Sequence, residues 1–374
     1  MAILIFFVTI FILVIIHELG HFFAAKKFNI KVLEFGFGLP PKLFGKKWGE
    51  TLVSLNWLPF GGFVKLKGED DDDPKALTDP RSFASQNVWK RITVVAAGVL
   101  MNLVLAWVIY YGLIAFQGFK VQIPLLVEHD FVGVSQTKET VVIISNVASD
   151  SPASQVGIVQ GDRIIAINDQ FIENSEEFSN KIKENAGKKV TLTLSDVSKN
   201  KFRNVEVTPR ENPPQGQGAL GVALGSFKVA NLEFAAFWQK LLAAPIHTFN
   251  LTSYSFEILG NTIRTAFVKK DIAPVGQTVA GPVGITSLIG DILRIDNPII
   301  PYLEFLALLS LNLAIFNALP LPALDGGRLL FLFTEAIIGK RVPPSTEKII
   351  HAVGFALLIS LAILITVSDI KKLF

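Results

Sequence analysis

No cysteine occurs anywhere in the 374 residues. That excludes disulfides and thiolate ligands alike, so any metal must be held by histidine nitrogens and carboxylate oxygens. Charge is scarce as well. Asp, Glu, Lys and Arg make up 18% of the chain against 50% hydrophobic residues, and the mean hydropathy of +0.46 is not that of a water-soluble protein. The net charge is only +3, and the basic residues fall in loops rather than along one stripe, which argues against a nucleic-acid partner. Histidine is rare too, at five residues, and two of the five stand where a lipid-facing run should exclude them.

From Met1 to Ile16 there is no ionisable side chain, yet the same run continues as "HELGHFFAA". An ionisable group within hydrocarbon costs roughly 2.5–3.5 kcal/mol, so a cluster there calls for a functional explanation. His17 and His21 stand four apart and share one helix face, and Glu18 follows the first, giving the HExxH pattern of zinc hydrolases. With five histidines in the chain, chance produces this pattern about 3 times in 1,000. A pair of ordinary core histidines is the competing reading, and an apolar helix offers such a pair no hydrogen-bond partners.

Four stretches reach the length of about 20 apolar residues that a transmembrane helix needs: Ala2–Ala25, Ile92–Phe116, Tyr302–Leu319 and Ile349–Val367. The first lacks the basic leader and cleavage site of a signal peptide, so it is expected to be retained as a span. Leu232–Gly260 is interrupted by Glu233, Lys240, His247, Asn250 and Glu257 and is expected as an amphipathic helix on the membrane surface. Lys26, Lys27, Lys31, Lys90, Arg91, Arg328, Lys340, Arg341 and Lys348 flank the spans on what should be the cytoplasmic side, with Lys371 and Lys372 as exceptions. Both termini and the segment from about Gly118 to Ile300 then lie outside, and the HExxH end of the first span lies near the cytoplasmic face of a cell (inner) membrane.

Within the outer segment, "TVVIISNV", "DRIIAIND", "KKVTLTLSD" and "KFRNVEVTP" alternate as strands, with helices at Pro152–Val156 and Ser175–Asn185. The run "SPASQVGIVQGDRIIAIND" resembles a PDZ domain of the circularly permuted bacterial kind, which implies a sheet edge able to take a peptide or C-terminus, or else bulk that filters substrates by ectodomain size. Between the first two spans, "GFGLPPKLFG" and "TLVSLNWLPFGGFVKLKG" are expected as a β-hairpin beside the membrane. Gly36, Phe37, Gly38, Gly61 and Gly62 lie in it as candidates to hold an unwound substrate strand through edge amides and carbonyls. The acidic run "EDDDDP" that follows is expected as a solvated loop, since it lacks the alternating ligands of a calcium site.

Two histidines need a third protein ligand, with a fourth position open for water at a catalytic zinc. "HELGHFFAAKKF" supplies neither the third histidine nor the glutamate of soluble relatives. Asp325 is the only carboxylate between Glu304 and Glu335, and it sits just past a helix broken by Pro320 and Pro322. An intramembrane Asp needs a partner and the histidine pair needs an anion.

With HELGH at 17–21, "GFG" at 36–38, "LPFGGFVKL" at 58–66, "GPVGI" at 281–285 and "NALPLPALDGG" at 317–327, the chain resembles the site-2 proteases, intramembrane zinc metalloproteases, and within them the RseP-like branch with an extracytoplasmic PDZ domain. The resemblance implies that His17, His21 and Asp325 hold Zn2+, that Glu18 is the base, and that Asn317 helps hold the substrate backbone. It also implies single-span membrane proteins as substrates, such as a pre-trimmed anti-sigma factor or signal-peptide remnants. Val99 in "AAGVLMN" departs from the family's frequent proline, and there is room for one PDZ domain rather than two. The expected fold is thus an α-helical polytopic membrane protein of about four spans, with a membrane-associated β-hairpin and an inserted α/β PDZ domain. Its expected parts are a first half of the protease core at 1–116, the PDZ domain at 117–228, a juxtamembrane segment at 229–300 and the second half of the core at 301–374. The non-enzymatic alternative is a PDZ-bearing scaffold with a structural zinc. Glu18 argues against it, because a structural site needs ligands but no base.

Overall fold

A backbone in hydrocarbon must satisfy its own polar groups, which an isolated segment does only as a helix. The apolar runs fold accordingly in the computed structural model, which describes residues 1–69, 77–196, 201–270 and 279–373. The chain divides into two units, Met1–Leu113 with Thr262–Phe374, and Ile114–Asn261.

The helices of the first unit are α1 (Ala2–Lys27), α2 (Val88–Phe116), α3 (Pro282–Ile292), α4 (Ile299–Ala318), α5 (Asp325–Ile338) and α6 (Pro344–Leu373). Four of these, α1, α2, α4 and α6, are long and apolar enough to cross a membrane, where the sequence placed four spans. Leu100, Val108, Leu357 and Leu364 stand exposed on them, a surface suited to lipid. This is a multi-pass membrane protein.

Small residues let the helices touch. A side chain on Gly20 of α1 would run into the carbonyl of Ala97 on α2, so the two backbones meet there. Arg91 of α2, 4% exposed, grips both carboxylate oxygens of Glu335 on α5. Asp369 of α6 accepts from the backbone N–H groups of Gly281 at 2.8 Å and Gly284 at 2.9 Å, capping the start of α3. The GPVGI motif is thereby fastened to the last span.

Two long strands, β1 (Val32–Trp48) and β2 (Thr51–Leu66), pair antiparallel and double back on themselves. Glu34–Phe37 pair with Leu52–Leu55 on one side and Gly62–Lys65 on the other, and Lys42–Trp48 return along Thr51–Asn56. The hairpin is therefore a small sheet of four segments. Gly38 and Gly61 both have φ +76°, and a Cβ at 38 would strike the carbonyl of Leu58. Among the described residues, Gly62–Lys65 pair on one side only. Of the acidic run, residues 70–74 lie outside the described residues, while Glu69 pairs with Arg328 of α5.

The second unit is one antiparallel sheet made of β3 (Lys120–Leu125), β4 (Ser135–Val147), β5 (Asp162–Ile167), β6 (Gln170–Phe171), β7 (Val190–Asp196), β8 (Lys201–Val207) and β9 (Val222–Glu233). The order is β3-β9-β4-β5-β7-β8, with β6 beside β5. Alternation turns Val190, Leu192 and Leu194 of β7 inward to pack with Ile164, Ile167, Phe178 and Ile182. The helix Ser175–Glu184 that carries Phe178 and Ile182 is capped by Asn174, whose side chain accepts from the N–H of Glu177 at 2.8 Å.

One expectation fails here. Leu232–Gly260 is not a single helix: Leu232 and Glu233 end β9, Phe237–Leu241 form a short helix, and a long one covers Ala243–Lys269. Leu232 is buried and paired to both β3 and β4, and the sheet takes it. Of the polar residues that looked like a solvated face, His247 and Asn250 are buried in the unit, whereas Glu233, Lys240 and Glu257 are exposed. Asn250 accepts from the N–H of Val132 at 2.8 Å and donates to its carbonyl at 2.9 Å, and the Tyr254 hydroxyl bridges the N–H of Leu126 and the carbonyl of Pro124. The expected boundary at 228 falls inside β9, and the unit runs on to Asn261.

Candidate metal centre

Helical periodicity places His17 and His21 one above the other on α1, and the proline break after α4 turns the chain back so that Asp325 opens α5. The turn is tight. Side chains at Gly326 or Gly327 would run into the carbonyls of Leu319 and Leu321, so the Asp-Gly-Gly sequence is what lets Asp325 swing inward. His17 Nε2 lies 3.0 Å from Oδ2 of Asp325, His21 Nε2 lies 3.3 Å from the same oxygen, and the two ring nitrogens are 3.2 Å apart.

These three atoms form a nearly equilateral triangle. Two ligands on a tetrahedral zinc, each bonded at about 2.05 Å, are about 3.3 Å apart, so the donor set fits that ion. Chemistry agrees with spacing: two imidazole nitrogens and a carboxylate oxygen are a zinc set, and among the described residues this is the one such group of three or more. The Nδ1 of His21 faces the carbonyl of Val94 at 2.9 Å, which takes the ring's proton and leaves Nε2 bare for a metal.

Glu18 faces the hairpin. A Cβ on Gly62 would come within 3.1 Å of Glu18 Cγ and 2.9 Å of Val14 Cγ1, so the half-paired Gly62–Lys65 segment passes directly beside the carboxylate-bearing side chain. The Glu18 charge is also within electrostatic reach of His17, His21 and Asp325. Phe37 pairs with Gly62 and Gly36 with Phe63. Gly38 and Gly61 line a cavity of about 220 Å³ with Phe11, Val14, Phe37 and Asn56, and Asn56 donates to the carbonyl of Gly38 at 3.0 Å. Asn317 lies in the last turn of α4, partly exposed.

Two residues of α2 escaped the sequence reading. Gly98 sits under both rings: a side chain there would run into Nε2 of His21. Asn102, one turn further, is fully buried beside His17. The signal was present, since an asparagine in an apolar span is as conspicuous as a histidine, and 98 and 102 repeat the four-residue spacing of 17 and 21.

The model of peptidase family M50 matches residues 5–361. A candidate zinc metalloprotease of Clostridium perfringens is 35% identical over 96% of this chain and 95% of its own length. The zinc metalloprotease RasP of Geobacillus kaustophilus is 28% identical over 98% of this chain and 97% of its own. The PDZ domain of an SdrC-like protein of Listeria monocytogenes aligns with 26% of this chain and 93% of its own at 21% identity, with a TM-score of 0.20 that is too low to bear on the fold. The chain belongs to peptidase family M50, the site-2 protease family of zinc metalloproteases, and its cofactor is zinc.

Proposed function

We propose that this zinc metalloprotease hydrolyses peptide bonds within or next to the transmembrane segments of single-span membrane proteins, with His17, His21 and Asp325 holding the zinc and Glu18 acting as general base. The observation that carries this reading is the placement of the donors: two are on α1, an apolar span, and the third is at the break that follows another span, α4. Zinc supplies Lewis acidity there, polarising the scissile carbonyl and making water nucleophilic near neutral pH. Glu18 takes the proton of the attacking water and delivers it to the leaving amine.

A helical substrate hides its carbonyls in i to i+4 bonds and must unwind before attack. The half-paired edge at Gly62–Lys65 offers an extended strand new main-chain partners beside Glu18. Asn317 offers both ends of an amide to the same backbone. In the second unit, residues Val222–Phe227 of β9 pair only with β4 among the described residues, which supports that edge as a place for a peptide strand in a PDZ-like domain. The orientation that fits the charge pattern puts this unit outside and the metal centre toward the cytoplasm.

The test is the position of the cut. With purified enzyme and a single-span substrate of short ectodomain in liposomes, mass spectrometry of the products should place cleavage in or at the edge of the apolar segment. Cleavage confined to loops well away from the bilayer would refute the intramembrane reading.

A further inference from the structure

Two helices meet at the metal centre in matched steps. On α1 the rings are four residues apart, at 17 and 21. On α2 the residues that face them are Gly98 against His21 and Asn102 against His17, also four apart and running the other way. Asn102 is 0% exposed, and its side-chain amide lies 3.3 Å from Nδ1 of His17. The amide oxygen of Asn102 is buried and has no hydrogen-bond partner among the described residues. Leaving such a buried oxygen desolvated and unsatisfied is costly, so the site needs a state in which it is used.

A ring that gives Nε2 to a metal keeps its proton on Nδ1, and that proton needs an acceptor. His21 has one in the carbonyl of Val94. For His17 the group at that position is the amide of Asn102. A half-turn about the last side-chain bond exchanges the amide's nitrogen and oxygen, which makes the orphaned oxygen the acceptor His17 requires. The same amide serves the metal-free state by donating to Nδ1, with the proton on Nε2 directed at Asp325 3.0 Å away. One neutral side chain thus satisfies both tautomers without a further buried charge.

We propose that Asn102 is a positioning residue of the metal centre, whose carboxamide oxygen accepts the Nδ1–H of His17 and fixes that ring in the tautomer that presents Nε2 to zinc. Its main chain is anchored in turn. Ser310 of α4, also 0% exposed, donates its hydroxyl to the carbonyl of Asn102 at 2.7 Å. Asn102 therefore stands between α1, which carries two ligands, and α4, which leads into the third.

The proposal rests on His17 being a ligand, and the experiment separates the two. Zinc affinity is measured by competition with a chromophoric chelator for the full-length wild type, His17→Ala, Asn102→Leu and Asn102→Asp. Asn102→Leu should bind zinc about 10–100-fold more weakly, and Asn102→Asp, which restores an acceptor, should recover most of that loss. Unchanged affinity in Asn102→Leu, or a loss in Asn102→Asp as deep as in Asn102→Leu, overturns the proposal. Wild-type affinity in His17→Ala would overturn the ligand assignment and the proposal with it. Should Asn102→Leu not fold, long-range proton–nitrogen spectra of the zinc-loaded wild type decide alone: a proton on Nδ1 of His17 is expected, and a proton on Nε2 overturns the proposal.

Discussion

Replacing Gly98 with alanine adds one methyl group at the most crowded point of the metal centre. That carbon would run into Nε2 of His21 and lie 2.6 Å from its Cε1 and 2.9 Å from Cε1 of His17. Ordinary carbon contacts are about 3.5–4.0 Å, so the rings must retreat by about 1 Å or α2 must withdraw. The second route would give up the close backbone packing of Gly20 against the carbonyl of Ala97. The rings therefore move, and zinc sites tolerate deviations of only about 0.2 Å. If the strain is the roughly 1–3 kcal/mol that overpacking costs, zinc affinity falls about 5- to 150-fold. Chelator competition on purified Gly98→Ala measures this. Gly112→Ala is the control, because it lies on the same helix with nothing within 4 Å of its added methyl, and it should bind zinc as the wild type does. Undiminished zinc affinity in Gly98→Ala would refute the geometry given for the rings, and an equal loss in Gly112→Ala would mean that the effect is not local.

Further outcomes follow from other parts of the chain. Leu194 is 0% exposed in the core of the second unit, so Leu194→Ala should destabilise that unit by about 2–5 kcal/mol while leaving zinc content untouched; zinc loss in parallel with its melting would show that the units are not independent. Arg81 and Lys26 beside Glu50 hold its carboxyl down to about 2 from 4.5. A lowered folded pKa adds stability above the unfolded value that disappears as pH falls through the folded one. Wild type and Glu50→Gln should therefore differ in melting temperature at neutral pH and converge between about pH 4.5 and about pH 2, and a constant difference would contradict the pairing. Because the chain has no cysteine, single cysteines at Lys27, Lys90 and Asn180 can be labelled cleanly. The first two should react from the cytoplasmic side and the third from outside, whereas labelling of all three from one side would refute the orientation.

How much of this was legible beforehand depends on the range of the interactions involved. The spans were plain, because a helix in hydrocarbon satisfies itself locally and leaves an unbroken apolar run in the sequence. Strands β4, β5, β7 and β8 were plain because each alternates, whereas the two-residue β6 was too short to show a pattern. Strand β9 was not plain. It carries Gly225 and Asn231, joins the sheet by pairing with β4 far upstream, and lent its last residues to a helical pattern that the fold does not use. Asn250 looked solvated because its partners are the loop amide and carbonyl of Val132, which no periodicity reveals. At the metal centre the HExxH spacing and the lone Asp325 were visible as anomalies of polarity. Gly98 left no signal beyond its spacing from Asn102, because its role is to lack a side chain at a crossing fixed by the fold. The doubling back of β1 and β2, which leaves Gly62 beside Glu18, depends on register and could not be read from composition.

The central claim is that Glu18 works on a zinc held by His17, His21 and Asp325 without being a ligand itself. Zinc content and substrate cleavage measured on the same preparation of Glu18→Gln test it most directly. The amide keeps the shape of the side chain but cannot accept a proton, so the variant should retain about one zinc per chain, as the wild type does, and cut no membrane substrate. Cleavage at the wild-type rate by zinc-loaded Glu18→Gln would contradict the assignment of Glu18 as the base, and loss of zinc from that variant would contradict its place outside the ligand set.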